Sequence, residues 1–178
     1  MPVKEQGLIF LVQACEAFVA VELAPKEIAL KTLFALRGKS NTGKSQTIRT
    51  VVEMLSEKHP NGVIAHNHAT KADVRVALTI NGVKIGVESQ EDPKESLDLF
   101  VRIGCDVIIC ATRTRGAAVD AVNALQGFDV QWLEQPQQSQ PNEQVLRSLI
   151  MAREMAEKVE VLIAAAQPRP ARSLAASA

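Results

Sequence analysis

One octapeptide constrains the fold of this chain more than any other stretch: Gly38-Lys39-Ser40-Asn41-Thr42-Gly43-Lys44-Ser45. Immediately before it, Thr32 to Leu36 is an apolar run of strand length. Immediately after it, Ile48, Val51, Val52 and Leu55 fall at i, i+3, i+4 and i+7, one face of a helix. A chain that turns from strand to helix through glycines leaves the first helical N–H groups without intrahelical acceptors. The glycines permit backbone angles that turn those N–H groups inward, and the helix adds its positive end, so the turn is a cradle for an anion. Ordinary residue frequencies give this spacing by chance in about one chain of this length in a few hundred. The flanking strand and helix reduce that further.

A second feature fixes a register. Val74, Val76, Leu78 and Ile80 alternate with Arg75, Ala77 and Thr79, then Asn81-Gly82 leads into Val83, Ile85 and Val87, alternating with Lys84, Gly86 and Glu88. Asn-Gly is the preferred two-residue hairpin turn because both positions take positive φ. The turn sets Ile80 opposite Val83, Leu78 opposite Ile85 and Val76 opposite Val87, with Arg75 opposite Glu88 on the other side.

The remaining elements follow from periodicity and punctuation. Leu8, Leu11, Val12, Cys15, Phe18 and Val19 predict an amphipathic helix within residues 1–24, a packed or oligomer-contacting element. Val63 to Ala65 is a short strand, and His66 and His68 fall in a surface loop. Asp92-Pro93 opens a helix with Leu97, Phe100 and Val101 inward. Asp106 to Ala111 is a buried strand, Ala118, Ala121, Val122 and Leu125 make a helical face closed by Gly127, and Phe128 to Leu133 is a strand. Gln135 to Pro141 is a Gln/Pro-rich loop. A long helix opens at Asn142 and runs to about Lys158, and Val159 to Ala164 either extends it or forms an edge strand. Strands alternating with helices predict a three-layer α/β fold over residues 25–165, its sheet mostly parallel with one antiparallel hairpin strand. Residues 166–178, rich in Pro, Arg, Ser and Ala, are expected to be a disordered tail.

Composition narrows the function classes. Lys and Arg together number 20, as do Asp and Glu, so no global basic surface that would grip nucleic acid is implied, and a local patch stays open. Aromatic content is 3%, with one Trp and no Tyr, which leaves few platforms for stacking bases. The run Leu8 to Leu23 is interrupted by Gln13, Glu16 and Glu22, too short and polar to cross a bilayer, and no secretory pattern is expected. Cys15, Cys105 and Cys110 lack metal-type spacing and are expected to be reduced core thiols, consistent with a cytoplasmic location.

Gly38-x-x-x-x-Gly43-Lys44-Ser45 resembles the phosphate loop of the P-loop NTPase superfamily, and the similarity extends over roughly Thr32 to Leu133. Asn41, two places before Gly43, and the antiparallel hairpin resemble the GTPase-like branch. That branch would carry Asp-x-x-Gly where Glu88-Ser89-Gln90-Glu91 stands, and Asn-Lys-x-Asp where Thr112-Arg113-Thr114-Arg115 stands. With no carboxylate to read guanine, the resemblance implies ATP rather than GTP, with Mg²⁺. It assigns the phosphates to Gly38, Lys39, Ser40, Asn41, Thr42, Gly43, Lys44, Ser45 and Gln46. Lys44 would reach the β- and γ-phosphates, and the Ser45 hydroxyl the metal.

The second acid at the metal should end a core strand, where Glu88, Glu91 and Asp92 lie. Glu88 is the first choice, against a cross-strand ion pair with Arg75. Thr70, between the first helix and the hairpin, is a further metal candidate. Arg113 and Arg115 leave the buried strand where the phosphates are expected, so either suits charge that builds during phosphoryl transfer. Gln90 is the candidate to position water. The leading expectation is an ATPase whose slow turnover drives a conformational or assembly switch. A small nucleotide-kinase-type phosphotransferase and a non-catalytic, nucleotide-dependent interaction module, or a GTPase-like switch, are the alternatives. The expected partners are the nucleotide and a protein, including a second copy of the chain.

Overall fold

A computed structural model describes residues 31–70 and 73–166. Six strands and four helices alternate along them. In chain order they are β1 (Lys31–Arg37), α1 (Lys44–Lys58), β2 (Val63–Ala69), β3 (Val74–Ile80), β4 (Val83–Glu88), α2 (Lys94–Arg102), β5 (Val107–Thr112), α3 (Ala117–Asn123), β6 (Phe128–Glu134) and α4 (Pro141–Ala165). The strands form one sheet in the order β2-β3-β4-β5-β1-β6. β1 pairs in parallel with β5 and β6, β4 pairs in parallel with β5, and β3 alone runs against its neighbours. This is the α/β plan with one antiparallel hairpin strand that alternation predicts.

The hairpin register is the predicted one, pair for pair, including Arg75 opposite Glu88. Asn81 and Gly82 both take positive φ, 51° and 83°, as the tight turn requires. Strand phase then sorts side chains between two cores. Phe34, Leu36, Val76, Leu78, Ile85, Val87 and Ile109 meet Ile48, Val51 and Leu55 of α1 and Met151, Met155 and Val159 of α4. On the opposite face Leu33, Ala35, Ala77, Ile108 and Cys110 meet Leu97 and Phe100 of α2 and Val122 of α3. Gly86 is required here, because a Cβ on it would lie 2.4 Å from the Phe100 ring. β5, flanked by β4 and β1, is buried over all six residues.

Several boundaries differ from expectation. Val101 is 42% exposed and it is Ser96 that joins Leu97 and Phe100 inside, so the buried face of α2 is rotated from the predicted one. Val159 to Ala164 continue α4, because Val159 and Ile163 repeat the four-residue spacing of Met151 and Met155 into the same core. His66 and His68 lie on β2, an edge strand exposed along its length, rather than in a loop. Among the described residues no group of three or more metal-binding side chains exists, and no helix is long and apolar enough to cross a membrane. The helix expected within 1–24 lies outside the described residues, as does the tail expected over 166–178 except for Ala166, which follows α4. Cys105 and Cys110 are buried free thiols, as expected; Cys15 lies outside the described residues.

Candidate functional site

The octapeptide joins the C-terminal end of β1 to the first turn of α1, at the point where β1 sits between β5 and β6. Asn41 (φ 61°) and Gly43 (φ 80°) both adopt the left-handed backbone that bends the loop around itself. Gly43 is also sterically obligatory, since a Cβ there would lie 2.6 Å from Ser148 Oγ. Among the described residues, no backbone N–H from Ser40 to Gln46 finds a hydrogen-bond acceptor; the first amide to do so is Thr47 N, on the Gly43 carbonyl at 2.9 Å. Unsatisfied N–H groups gathered at a helix start are a site for an anion.

These residues border a cavity of about 370 Å³, lined by Ser40, Asn41, Gly43, Lys44, Ser45, Gln46, Asp73, Gln90 and Glu91. Lys44 is only 3% exposed. Its ammonium donates to the carbonyls of Gly38 at 2.9 Å and Lys39 at 2.6 Å, and it pairs with Glu91 Oε1 at 2.9 Å. The other Glu91 oxygen accepts from Arg113 Nε at 2.9 Å. Burial pushes the Glu91 carboxyl up, but the hydrogen bond and charge of Lys44, joined by Arg113, outweigh it and hold the group below its ordinary value. Ser45 Oγ donates to the Ser89 carbonyl at 3.3 Å.

Of the predicted acids, the structure engages Glu88 elsewhere. Its carboxylate is fully buried; it accepts from Arg75 Nε at 2.6 Å, from Gln90 N at 2.9 Å and from Ser96 Oγ. That is the cross-strand ion pair, reinforced by α2, and Glu88 does not line the cavity. β4 is an interior strand with helices over both faces, so its last residue is covered rather than presented. Three residues on, Glu91 reaches the cavity, and Asp73 lines it as well. Asp92 is exposed and outside the lining. Thr70 stands outside it as well. Its Oγ1 accepts from Asp73 N at 2.9 Å and its N–H donates to the Asp73 carbonyl at 2.8 Å, so Thr70 holds the Asp73 backbone in place.

Gln90 lines the cavity. Arg113 reaches the site only through Glu91, and Arg115 is exposed with no hydrogen bond or ion pair among the described residues. The Thr112 hydroxyl, fully buried at the end of β5, has no hydrogen-bond partner among the described residues.

The far wall of the loop is built by residues that periodicity could not single out. Gln135, 2% exposed, donates from Nε2 to the Thr42 carbonyl at 2.7 Å and to Ser148 Oγ at 3.0 Å, and its Oε1 accepts from Thr47 Oγ1 at 2.8 Å. Gln144 Nε2 donates to the same Thr42 carbonyl at 2.5 Å. Thr42 Oγ1 closes the loop on the Lys39 carbonyl at 2.9 Å.

In comparisons with known proteins, no family model, no curated protein and no solved structure matches this chain.

Proposed function

We propose that this chain binds a magnesium–nucleoside triphosphate, ATP in preference to GTP, on the Gly38–Ser45 loop and hydrolyses it slowly to drive a conformational or assembly switch. One observation carries the reading: the N–H groups from Ser40 to Gln46 have no acceptor among the described residues, and all of these residues except Thr42 line the cavity that also holds the buried Lys44 ammonium. A polyphosphate is the ligand that such a row and such a cation would satisfy together. The donors suited to magnesium are hard oxygens in the same cavity, the Ser45 hydroxyl with the Asp73 and Glu91 carboxylates, and they fit that ion. When bound, the ion would neutralise phosphate charge. Glu91, now on Lys44, would release the ammonium to the phosphates, and Arg113 would move with it. Gln90 would orient a water; an amide cannot take the water's proton, which supports slow turnover. The β5 exit, Thr112 to Arg115, carries no carboxylate, which supports ATP over GTP.

Calorimetry tests this with slowly hydrolysed analogues of ATP and GTP, with and without Mg²⁺, on the wild type and Lys44→Ala. Magnesium-dependent binding that favours the ATP analogue and is lost in Lys44→Ala is the expected result. Failure of the wild type to bind either analogue would overturn the proposal.

A further inference from the structure

Two side-chain amides converge on a single carbonyl, that of Thr42. A trans peptide is planar, with its C=O and the following N–H on opposite sides. Pulling the Thr42 carbonyl toward the β6–α4 wall therefore turns the Gly43 N–H the other way, toward the cavity that Gly43 lines. We infer that Gln135, assisted by Gln144, is the positioning residue that holds the loop's Thr42–Gly43 peptide in its anion-binding orientation. The consequence for affinity rests on the phosphate-binding reading above; the orientation itself does not.

Gln135 is held so that it can do this. Its own N–H donates to the Arg37 carbonyl at 2.8 Å, which anchors it to the end of β1, and its carbonyl oxygen would lie 2.7 Å from a Cβ on Gly38. Both Nε2 protons are used, on Thr42 and Ser148, and Oε1 is used by Thr47 of α1. One side chain thus ties the loop, α1 and α4 together with no spare donor. Glutamate could replace the acceptor but neither donor, and leucine replaces none of the three. Gln144 adds a second donor from α4, and its Oε1 accepts from Gln138 N at 2.9 Å, which fixes the Gln144 amide in turn. Without these donors the Thr42 carbonyl would be free to swing into the cavity, where its partial negative charge would oppose phosphate.

The test uses the full chain. Gln135→Leu is compared with the wild type and with Gly86→Ala, which overpacks the Phe100 side of the sheet and so lowers stability without touching the loop. Backbone order parameters for Thr42, Gly43 and Lys44 are measured by ¹⁵N relaxation, and affinity for the Mg²⁺–ATP analogue by calorimetry, well below every melting temperature. In Gln135→Leu the order parameters should fall from the rigid range, about 0.85, toward about 0.6. Affinity should fall at least about tenfold, the cost of roughly one hydrogen bond, while Gly86→Ala keeps both. Unchanged loop order in Gln135→Leu overturns the inference, whether or not nucleotide binds. If the wild type binds no nucleotide, the functional proposal fails and the order parameters alone decide this one. Should Gln135→Leu not fold, Gln144→Leu, on a partly exposed side chain, replaces it: lowered loop order supports the inference, and unchanged loop order overturns it.

Discussion

The two walls of the Gly38–Ser45 loop are built on opposite principles. The β6–α4 wall is neutral, buried and mutually satisfied: Gln135, Gln144, Ser148 and Thr47 share amide and hydroxyl hydrogen bonds. The wall facing β3 and β4 is charged and open to the cavity, with Asp73, Glu91 and, through Glu91, Arg113 around the Lys44 ammonium. A neutral network in a low-dielectric setting fixes shape, because every broken bond leaves an unsatisfied dipole. The Lys44 ammonium is buried, so its ion pair with Glu91 can be exchanged only for another anion that takes the carboxylate's place. One wall is suited to hold the loop, and the other to hand its lysine to a ligand.

Lys44→Ala should break the charged wall with the largest effect. Nucleotide affinity is expected to fall by about a hundredfold or more, since charge-assisted hydrogen bonds are the strong ones, and the calorimetry described above measures it. Next comes a carboxylate that belongs to neither wall. Glu88→Ala leaves the buried Ser96 hydroxyl and the part-buried Arg75 and Gln90 N–H groups without their acceptor, and should cost about 2 kcal/mol in urea unfolding. A loss below about 1 kcal/mol would show that Glu88 is not the anchor its contacts describe.

A smaller effect is expected at Glu91. Glu91→Gln frees Lys44 but removes the carboxylate charge proposed to face Mg²⁺, so analogue binding without Mg²⁺ should tighten a few-fold while the gain from added Mg²⁺ shrinks. Equal changes in both would detach Glu91 from the metal. The smallest is a pH effect on stability. Because the folded Glu91 carboxyl lies below its ordinary value of 4.5, its contribution is complete above that value and is lost as pH falls through the lowered one. The melting-temperature gap between wild type and Glu91→Gln should therefore be constant near neutrality and close in acid.

How much of this was written in the sequence depends on whether the information was local. The hairpin register followed from Asn81-Gly82 and strict alternation, because a two-residue turn leaves no freedom to slip. The loop and its flanking elements were equally legible. The choice of acid was not, because it depends on Ser96 of α2 joining Arg75 at the Glu88 carboxylate, and the docking of α2 is a tertiary fact. Alternation does place Glu88 in phase with Arg75, and that phase marked the ion pair that forms. Gln135 stood in a Gln/Pro-rich loop with no periodic neighbour, and its partners are far off in the chain. Val101 was misplaced because a nine-residue helix offers too few turns to fix its buried face.

The distance between Gln135 and its target has a kinetic meaning. Thr42 meets Gln135 and Gln144 across 93 and 102 residues of sequence. Contacts of such long range close late, after the chain between them has been ordered. During synthesis the octapeptide emerges before the strand and helix that complete its brace. A nascent or truncated chain ending before Gln135 would carry every letter of the loop but not the brace on its Thr42 carbonyl.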